Sequence, residues 1–320
     1  FCMAFKKRVV GVIGLGHVGA HVAFNLGVLG IADEVKLCDV KSEKLVSERQ
    51  DMMDAVMFMP HRVNYTIASY EELADCDVIV NAIGDITLCA SGNRDDEMHF
   101  TVPQVADYIP KVMAGGFQGI IINITNPCDV ITDLIAKKSG LPKGHVFGTG
   151  TGLDSSRLVS AISQQTGLDH HSFSAYMMGE HGNSQIVPWS LIKFGGKSLA
   201  ELEQNPAYVF DKARVQDETI HAGWVTYSGK HCTEYGISMT AATMVRAVLR
   251  DERKIMAASA PLDGEYGETG IFCGVPSVIG ANGGVLGGRI GQGFGRRVFT
   301  GQPVDVATGE LYATETELVM

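Results

Sequence analysis

Positive charge is scarce in this sequence. Its 320 residues hold 26 Lys and Arg against 36 Asp and Glu, a formal net charge of −10. A surface of that sign repels phosphate backbones and anionic lipid, so neither nucleic acid nor a membrane is expected as a partner. No apolar run reaches the length of a bilayer span. The stretch Phe1-Cys2-Met3-Ala4-Phe5-Lys6-Lys7-Arg8 lacks the apolar region and cleavage site of a signal peptide. Met3 reads as the native start after a two-residue remnant, and a cytoplasmic protein is expected. Cys-x-x-Cys is absent. The seven cysteines (Cys2, Cys38, Cys76, Cys89, Cys128, Cys232, Cys273) are odd in number and widely spaced. They read as free thiols in a reducing compartment, with no disulfide framework, no zinc site and no bound metal expected. Cys38 and Cys76 sit in or beside apolar runs and read as core. Cys89 falls in a polar loop. There is no internal repeat and no flexible linker.

What is present is a globular composition, 45% apolar and 19% charged, long enough for one large or two ordinary domains. Short β-branched runs alternate with helical periodicity through the first half. Val9 to Ile13, Val35 to Cys38, Val78 to Ala82 and Ile120 to Ile124 read as buried strands. Residues 17–29 and the stretch holding Glu43, Lys44 and Glu48 read as helices. That rhythm predicts an α/β fold, a Rossmann doubly wound parallel sheet, followed by a mixed α/β domain. The expected division is 1–150 and 151–320. In the second half the pattern predicts a helix over about 154–166, strands around 172–178 and 186–194, and a helical region from about 207 to 250. Residues 281–299 are glycine-rich.

Gly14-Leu15-Gly16-His17-Val18-Gly19 follows the first strand and opens a helix. A G-x-G-x-x-G alone is weak, but strand, turn and helix here are in the right order for dinucleotide binding. Gly14 would make the turn, Gly16 would admit the pyrophosphate, and Gly19 would let helix and strand pack closely. The helix N-terminus at His17 and Val18 would offer its N–H groups to the phosphates. Asp39 ends the second strand, 20 residues past Gly19. A carboxylate there accepts from ribose hydroxyls and repels a 2′-phosphate, which favours NAD over NADP. The small residues Ala82 and Gly84, after the strand at 78–82, would allow the cofactor a close approach to the backbone.

The segment Gly179-Glu180-His181-Gly182 sets one histidine between glycines, after a β-like run and before an apolar one. Read locally it is a turn histidine, structural or proton-transferring. Asn126-Pro127 follows the strand ending at Ile124, at the edge where ligands of α/β sheets bind. Asp154 and Arg157 are three apart on one helix face, after the glycine turn at 148–152. Arg94 follows a polar loop that contains glycine. Each of these also has a purely local reading: an Asn-Pro turn, an N-cap with a first-turn charge, and a surface arginine.

Taken together, Gly14-x-Gly16-x-x-Gly19, Asn126-Pro127, Gly148-Thr149-Gly150-Thr151-x-Leu153-Asp154-x-x-Arg157 and Gly179-Glu180-His181-Gly182 resemble the L-lactate/L-malate dehydrogenase superfamily. The resemblance covers roughly residues 7–280. It implies NAD as cofactor, a small 2-oxo or 2-hydroxy acid as substrate, and a homo-oligomer, tetramer or dimer. It also implies a role for each residue. His181 is the acid that protonates the carbonyl oxygen, and Asp154 accepts its other N–H. Arg157 clamps the substrate carboxylate, and Arg94 polarises the carbonyl from a closing loop. Asn126 hydrogen-bonds near the reacting oxygen and the cofactor. Thr233 matches a pocket threonine, although its neighbour Glu234 stands where a small residue is expected.

Malate dehydrogenases carry an extra arginine early in that loop, whereas Asp85-Ile86-Thr87-Leu88-Cys89-Ala90 has no cation. A second substrate carboxylate would go unpaired there, which argues against malate. The apolar character around Leu88, with Lys230-His231-Cys232-Thr233-Glu234-Tyr235-Gly236, resembles the L-2-hydroxyisocaproate dehydrogenase branch. This implies a medium aliphatic 2-oxo acid, with L-lactate dehydrogenase as the alternative. A non-enzymatic NAD-binding protein on the same fold would need none of the four charged residues. Some bacterial lactate dehydrogenases respond to a sugar bisphosphate through an arginine and a histidine whose positions here hold Val159 and Ser174, so no such activation is expected. The family ends in a charged amphipathic helix, and residues 284–320 depart from that pattern.

Overall fold

The computed structural model describes residues 6–85, 87–88, 94–182 and 184–285, with Arg94, Asp95 and Val285 described by backbone alone. The chain forms two compact units. The first gathers residues up to Thr149 together with Cys232–Lys254 and Ile279–Gly284. The second gathers Gly150–His231 and Ile255–Val278. The division is therefore not a single cut along the chain.

The first unit is built on β1 (Val9–Ile13), β2 (Glu34–Cys38), β3 (Asn64–Ile67), β4 (Val78–Asn81), β5 (Ile120–Asn123) and β6 (Val146–Gly148). They lie in the order β6-β5-β4-β1-β2-β3, and every neighbouring pair is parallel. This is the doubly wound arrangement. β1, β4 and β5 are buried along their whole length, as β-branched strands covered on both faces must be. The order reverses between β1 and β4. The ends of those strands, at Gly14 and Ala82, therefore flank the switch point where ligands of such sheets bind.

The crossovers are α1 (His17–Val28), α2 (Ser42–Ala55), α3 (Arg94–Ala114) and α4 (Cys128–Ser139). A core of Ile13, Ile79, Val105, Ile109, Phe117 and Ile131 lies beneath α3 and α4. β6 has only three residues and β3 mixes polar with apolar ones, so neither stands out in the sequence. Cys38 and Cys76 are buried in the same core, and burial pushes both thiols up to about 12. Cys89 lies outside the described residues.

In the second unit α5 (Gly152–Thr166) gives Leu158 and Ile162 to a core with Met177, Val187 and Val215. The strands β7 (Phe173–Ser174), β8 (Lys193–Phe194) and β9 (Lys197–Ser198) are only two residues each and form a small antiparallel sheet. After α6 (Leu199–Leu202), the helical region expected over 207–250 is two helices, α7 (Lys212–Lys230) in this unit and α8 (Tyr235–Leu249) in the first. His231, at φ +64, ends α7 and turns the chain. β10 (Lys254–Asp263) and β11 (Thr269–Gly280) are long neighbouring strands, followed by β12 (Gly283–Val285). Among the described residues no helix is long and apolar enough to cross a membrane.

Candidate active site

The glycine turn has the shape its sequence suggested. Gly14 has φ +89, and a Cβ there would meet the Ala82 carbonyl and Ile83 nitrogen at 2.8 Å. A Cβ on Gly19 would overlap the Gly14 oxygen at 1.8 Å, so only glycine lets α1 approach the turn this closely. A Cβ on Gly16 or Gly84 would meet nothing within 4 Å, so both flank open space. The first turn of α1, from His17 and Val18, directs N–H groups without intrahelical partners out of that turn.

Asp39 closes the arrangement. One carboxylate oxygen accepts the Leu15 N–H at 2.6 Å and the other accepts the Lys41 N–H at 2.8 Å. A carboxylate has about four acceptor positions, so two backbone bonds leave capacity for ribose hydroxyls. A tight turn, open space above its middle glycine, a helix N-terminus and an acid at the end of β2 together fit a dinucleotide.

The second constellation centres on Asp154, buried in the first turn of α5. Its Oδ2 lies 2.6 Å from His181 Nδ1, and its Oδ1 accepts from Arg157 Nη1 at 2.9 Å. Burial by itself would raise the Asp154 pKa. The nearby His181 and Arg157 outweigh that and bring it down to about 2. Ionised Asp154 can only accept, so Nδ1 carries the proton, and Nε2 is the ring nitrogen with the chemistry to give or take one. The Arg157 side chain is 16% exposed and packs near Gly223 of α7, where a Cβ would lie 3.5 Å from the guanidinium nitrogens.

His181 is held by backbone on both sides. Met178 and Ile186 exchange hydrogen bonds at 3.0 and 2.8 Å, and Gly179 does the same with Gly274 at 2.9 and 2.8 Å. Gly179 has φ +98, a region that glycine alone enters freely. Gln185 Nε2 donates to the Gly182 carbonyl and tightens the loop.

Two further residues align α5 with this loop. Thr151 Oγ1 donates to the Met177 carbonyl at 2.7 Å, and Ser155 Oγ accepts the Met177 N–H at 2.9 Å. Both stand in the stretch that carries Asp154, but nothing in the sequence separates them from ordinary helix-start residues.

The other expected residues are placed less completely. Asn126 precedes a cis bond to Pro127, and its carbonyl accepts from Thr101 Oγ1 at 3.0 Å. A buried neighbour that the sequence reading passed over, Asn123, anchors this edge. Its amide donates to Thr125, Cys128 and Thr132 and its oxygen accepts from Asn81. Thr233 is half-buried, just ahead of α8. Leu88 is half-buried in a tight turn whose N–H donates to the Asp85 carbonyl at 3.1 Å. Arg94 is the first residue of α3, and its side chain lies outside the described residues, as does the tail from residue 286.

Residues 8–148 match the lactate/malate dehydrogenase NAD binding domain, and residues 151–288 match the lactate/malate dehydrogenase alpha/beta C-terminal domain. The chain belongs to the lactate/malate dehydrogenase family. Within that family it is 38% identical over 281 residues to an L-lactate dehydrogenase of Fusobacterium nucleatum, covering 87% of this chain and 88% of that protein. It is 37% identical over 284 residues to L-lactate dehydrogenase 1 of Bifidobacterium longum, covering 88% and 90%. Its fold superposes on the minor L-lactate dehydrogenase of Enterococcus mundtii with ligands bound, with TM-score 0.83 and 33% identity, covering 87% and 89%. The Cryptosporidium parvum lactate dehydrogenase, solved with lactic acid and NAD, is 25% identical with TM-score 0.81, covering 88% and 89%. The family member described here is an NAD-dependent oxidoreductase.

Proposed function

We propose that the chain is an L-lactate dehydrogenase, interconverting pyruvate and L-lactate with NAD. The observation that carries this reading is the triad of His181, buried Asp154 and Arg157 in one unit, held at 2.6 and 2.9 Å. The relatives named above supply the substrate, since each is called a lactate dehydrogenase.

A dinucleotide held at the Gly14–Gly19 turn and Asp39 would supply or take up the hydride at the substrate C2. His181 Nε2 gives a proton to the carbonyl oxygen in reduction and takes it back in oxidation. Asp154 keeps Nδ1 protonated and favours the imidazolium by its negative charge. Arg157 offers a planar fork of donors, the geometry that grips a carboxylate by two parallel bonds. In the same reading Arg94 polarises the carbonyl, Asn126 hydrogen-bonds beside the reacting oxygen, and Thr233 bounds the pocket.

A second reading, a preference for 2-oxoisocaproate, is favoured by one feature. Residues 85–90 contain no cation, and Leu88 presents an aliphatic side chain in a half-buried turn. None of the four relatives named above bears a name from that branch, and pyruvate is the preferred reading. NADH oxidation rates with pyruvate, 4-methyl-2-oxopentanoate and oxaloacetate decide between them. The largest kcat/KM is expected with pyruvate, and a tenfold advantage for 4-methyl-2-oxopentanoate would reverse the assignment. A cytoplasmic homo-oligomer, tetramer or dimer, belongs to the same reading, and light scattering of the purified protein measures its mass.

A further inference from the structure

Three side chains from two distant stretches of the sequence meet beside the glycine turn. His17 is the first residue of α1, and Cys232 and Glu234 flank Thr233 ahead of α8. One imidazole nitrogen, the Cys232 sulfur and a Glu234 carboxylate oxygen all lie within 4.8 Å of one another. His17 is exposed, whereas Cys232 and Glu234 are each 6% exposed. We propose that His17, Cys232 and Glu234 form a binding site for a thiophilic divalent cation, Zn2+ by preference.

The donor chemistry selects the metal. A thiolate, an imidazole and a carboxylate are the three side-chain donors that zinc takes, at bond lengths of about 2.0–2.3 Å. Tetrahedral geometry at those lengths places ligand atoms about 3.4–3.6 Å apart. His17 Nδ1 and Glu234 Oε2 already stand at 3.4 Å. The other two separations are at most 4.8 Å, and rotation of the exposed His17 ring can shorten its own distance to the Cys232 sulfur. Magnesium and calcium would not use the sulfur.

His21 supports the site from outside it. It lies one helical turn after His17, and its Nδ1 is 2.7 Å from the His17 carbonyl and 3.3 Å from Glu234 Oε2. A carbonyl only accepts, so this nitrogen gives its proton to the His17 carbonyl and lies within ion-pair distance of the Glu234 carboxylate. Such outer partners orient carboxylate ligands. Three protein ligands then leave a fourth position for water. The Cys232 thiol loses its proton to solvent as the Zn–S bond forms, so binding releases acid and tightens as pH rises. The site lies within the first unit and does not depend on which 2-oxo acid is the substrate.

Co2+ titration of the full chain, stripped with chelator and desalted, tests the site. One Co2+ per chain is expected, with a near-ultraviolet thiolate charge-transfer band and the visible bands of tetrahedral cobalt. Cys232→Ser should abolish the charge-transfer band while leaving NADH turnover with pyruvate unchanged in metal-free buffer. Zn2+ affinity, read by competition with a chelating dye, should fall at least ~10-fold in Glu234→Gln and in His17→Gln. Absence of stoichiometric Co2+ binding overturns the proposal. So does a charge-transfer band that survives in Cys232→Ser, which would place the metal on another thiol. If Cys232→Ser fails to fold, unchanged Zn2+ affinity in both other variants overturns it.

Discussion

Ser155 Oγ accepts the Met177 N–H at 2.9 Å, while its own proton goes to the Thr151 carbonyl at 2.8 Å. This one hydroxyl ties the helix that carries Asp154 to the chain that leads into His181. Ser155→Ala leaves a buried N–H without that acceptor, which costs about 1–3 kcal/mol. The expected result is a loss of that size in urea unfolding together with a lower kcat and a nearly constant NADH affinity. A variant as stable and as active as the parent would show that the alignment does not depend on this bond.

His181→Asn removes the proton donor without charging the loop. General acid catalysis contributes about 10²–10⁴-fold, and kcat for 2-oxo acid reduction should fall within that range. NADH binding, followed by fluorescence, should be nearly unaffected because the glycine turn and Asp39 are intact. An unchanged kcat would remove His181 from the mechanism.

Asp154 links the site to acid stability. Its pKa is about 2 in the folded chain against an ordinary 3.8 for a free aspartate. A carboxylate depressed on folding contributes stability that is complete above its unfolded pKa and lost as pH falls through its folded one. The difference corresponds to about 2 kcal/mol, disappearing between roughly pH 4 and pH 2. Denaturant unfolding at stepped pH should show that loss in the parent protein. Asp154→Asn should lack it, being less stable at pH 7 and flatter below pH 4. Parallel pH profiles for the two proteins would contradict the assignment.

Asp39 is expected to set cofactor choice. Asp39→Ser removes the charge that repels a 2′-phosphate, and it also loosens the bond to Leu15 N–H. The ratio of kcat/KM for NADH to that for NADPH should fall by roughly an order of magnitude or more, since juxtaposing like charges costs on the order of several kcal/mol. A ratio that does not move would shift the discrimination elsewhere.

Fructose 1,6-bisphosphate should not activate the enzyme, because Val159 and Ser174 supply neither a cation nor an imidazole. Rates at subsaturating pyruvate, with and without the bisphosphate, test this. Several-fold activation would mean that other residues bind the effector.

Where sequence and structure part, the reason is tertiary. The strand expected over 172–178 is paired only at Phe173 and Ser174 and again at Met178 and Gly179. Between them Met177 gives its backbone groups to the hydroxyls of Thr151 and Ser155, so side chains of a helix take the place of a neighbouring strand. The helix expected across 207–250 is broken because His231 adopts a left-handed conformation, which its residue type does not announce. Residues 254–280 form two long strands that the sequence reading left unassigned.

Local chemistry determined the rest. Glycine spacing, β-branched runs and an acid at a strand end act through short-range sterics and hydrogen bonding, so the sequence alone specifies a dinucleotide turn on a parallel sheet. It also specifies His181 as a turn histidine and Asp154 beside Arg157 on one helix face. Only the tertiary structure brings Asp154 and His181, 27 residues apart, to 2.6 Å, and only it gathers His17, Cys232 and Glu234. Such meetings depend on how helices and loops pack, and packing is a property of the whole core rather than of any segment within it.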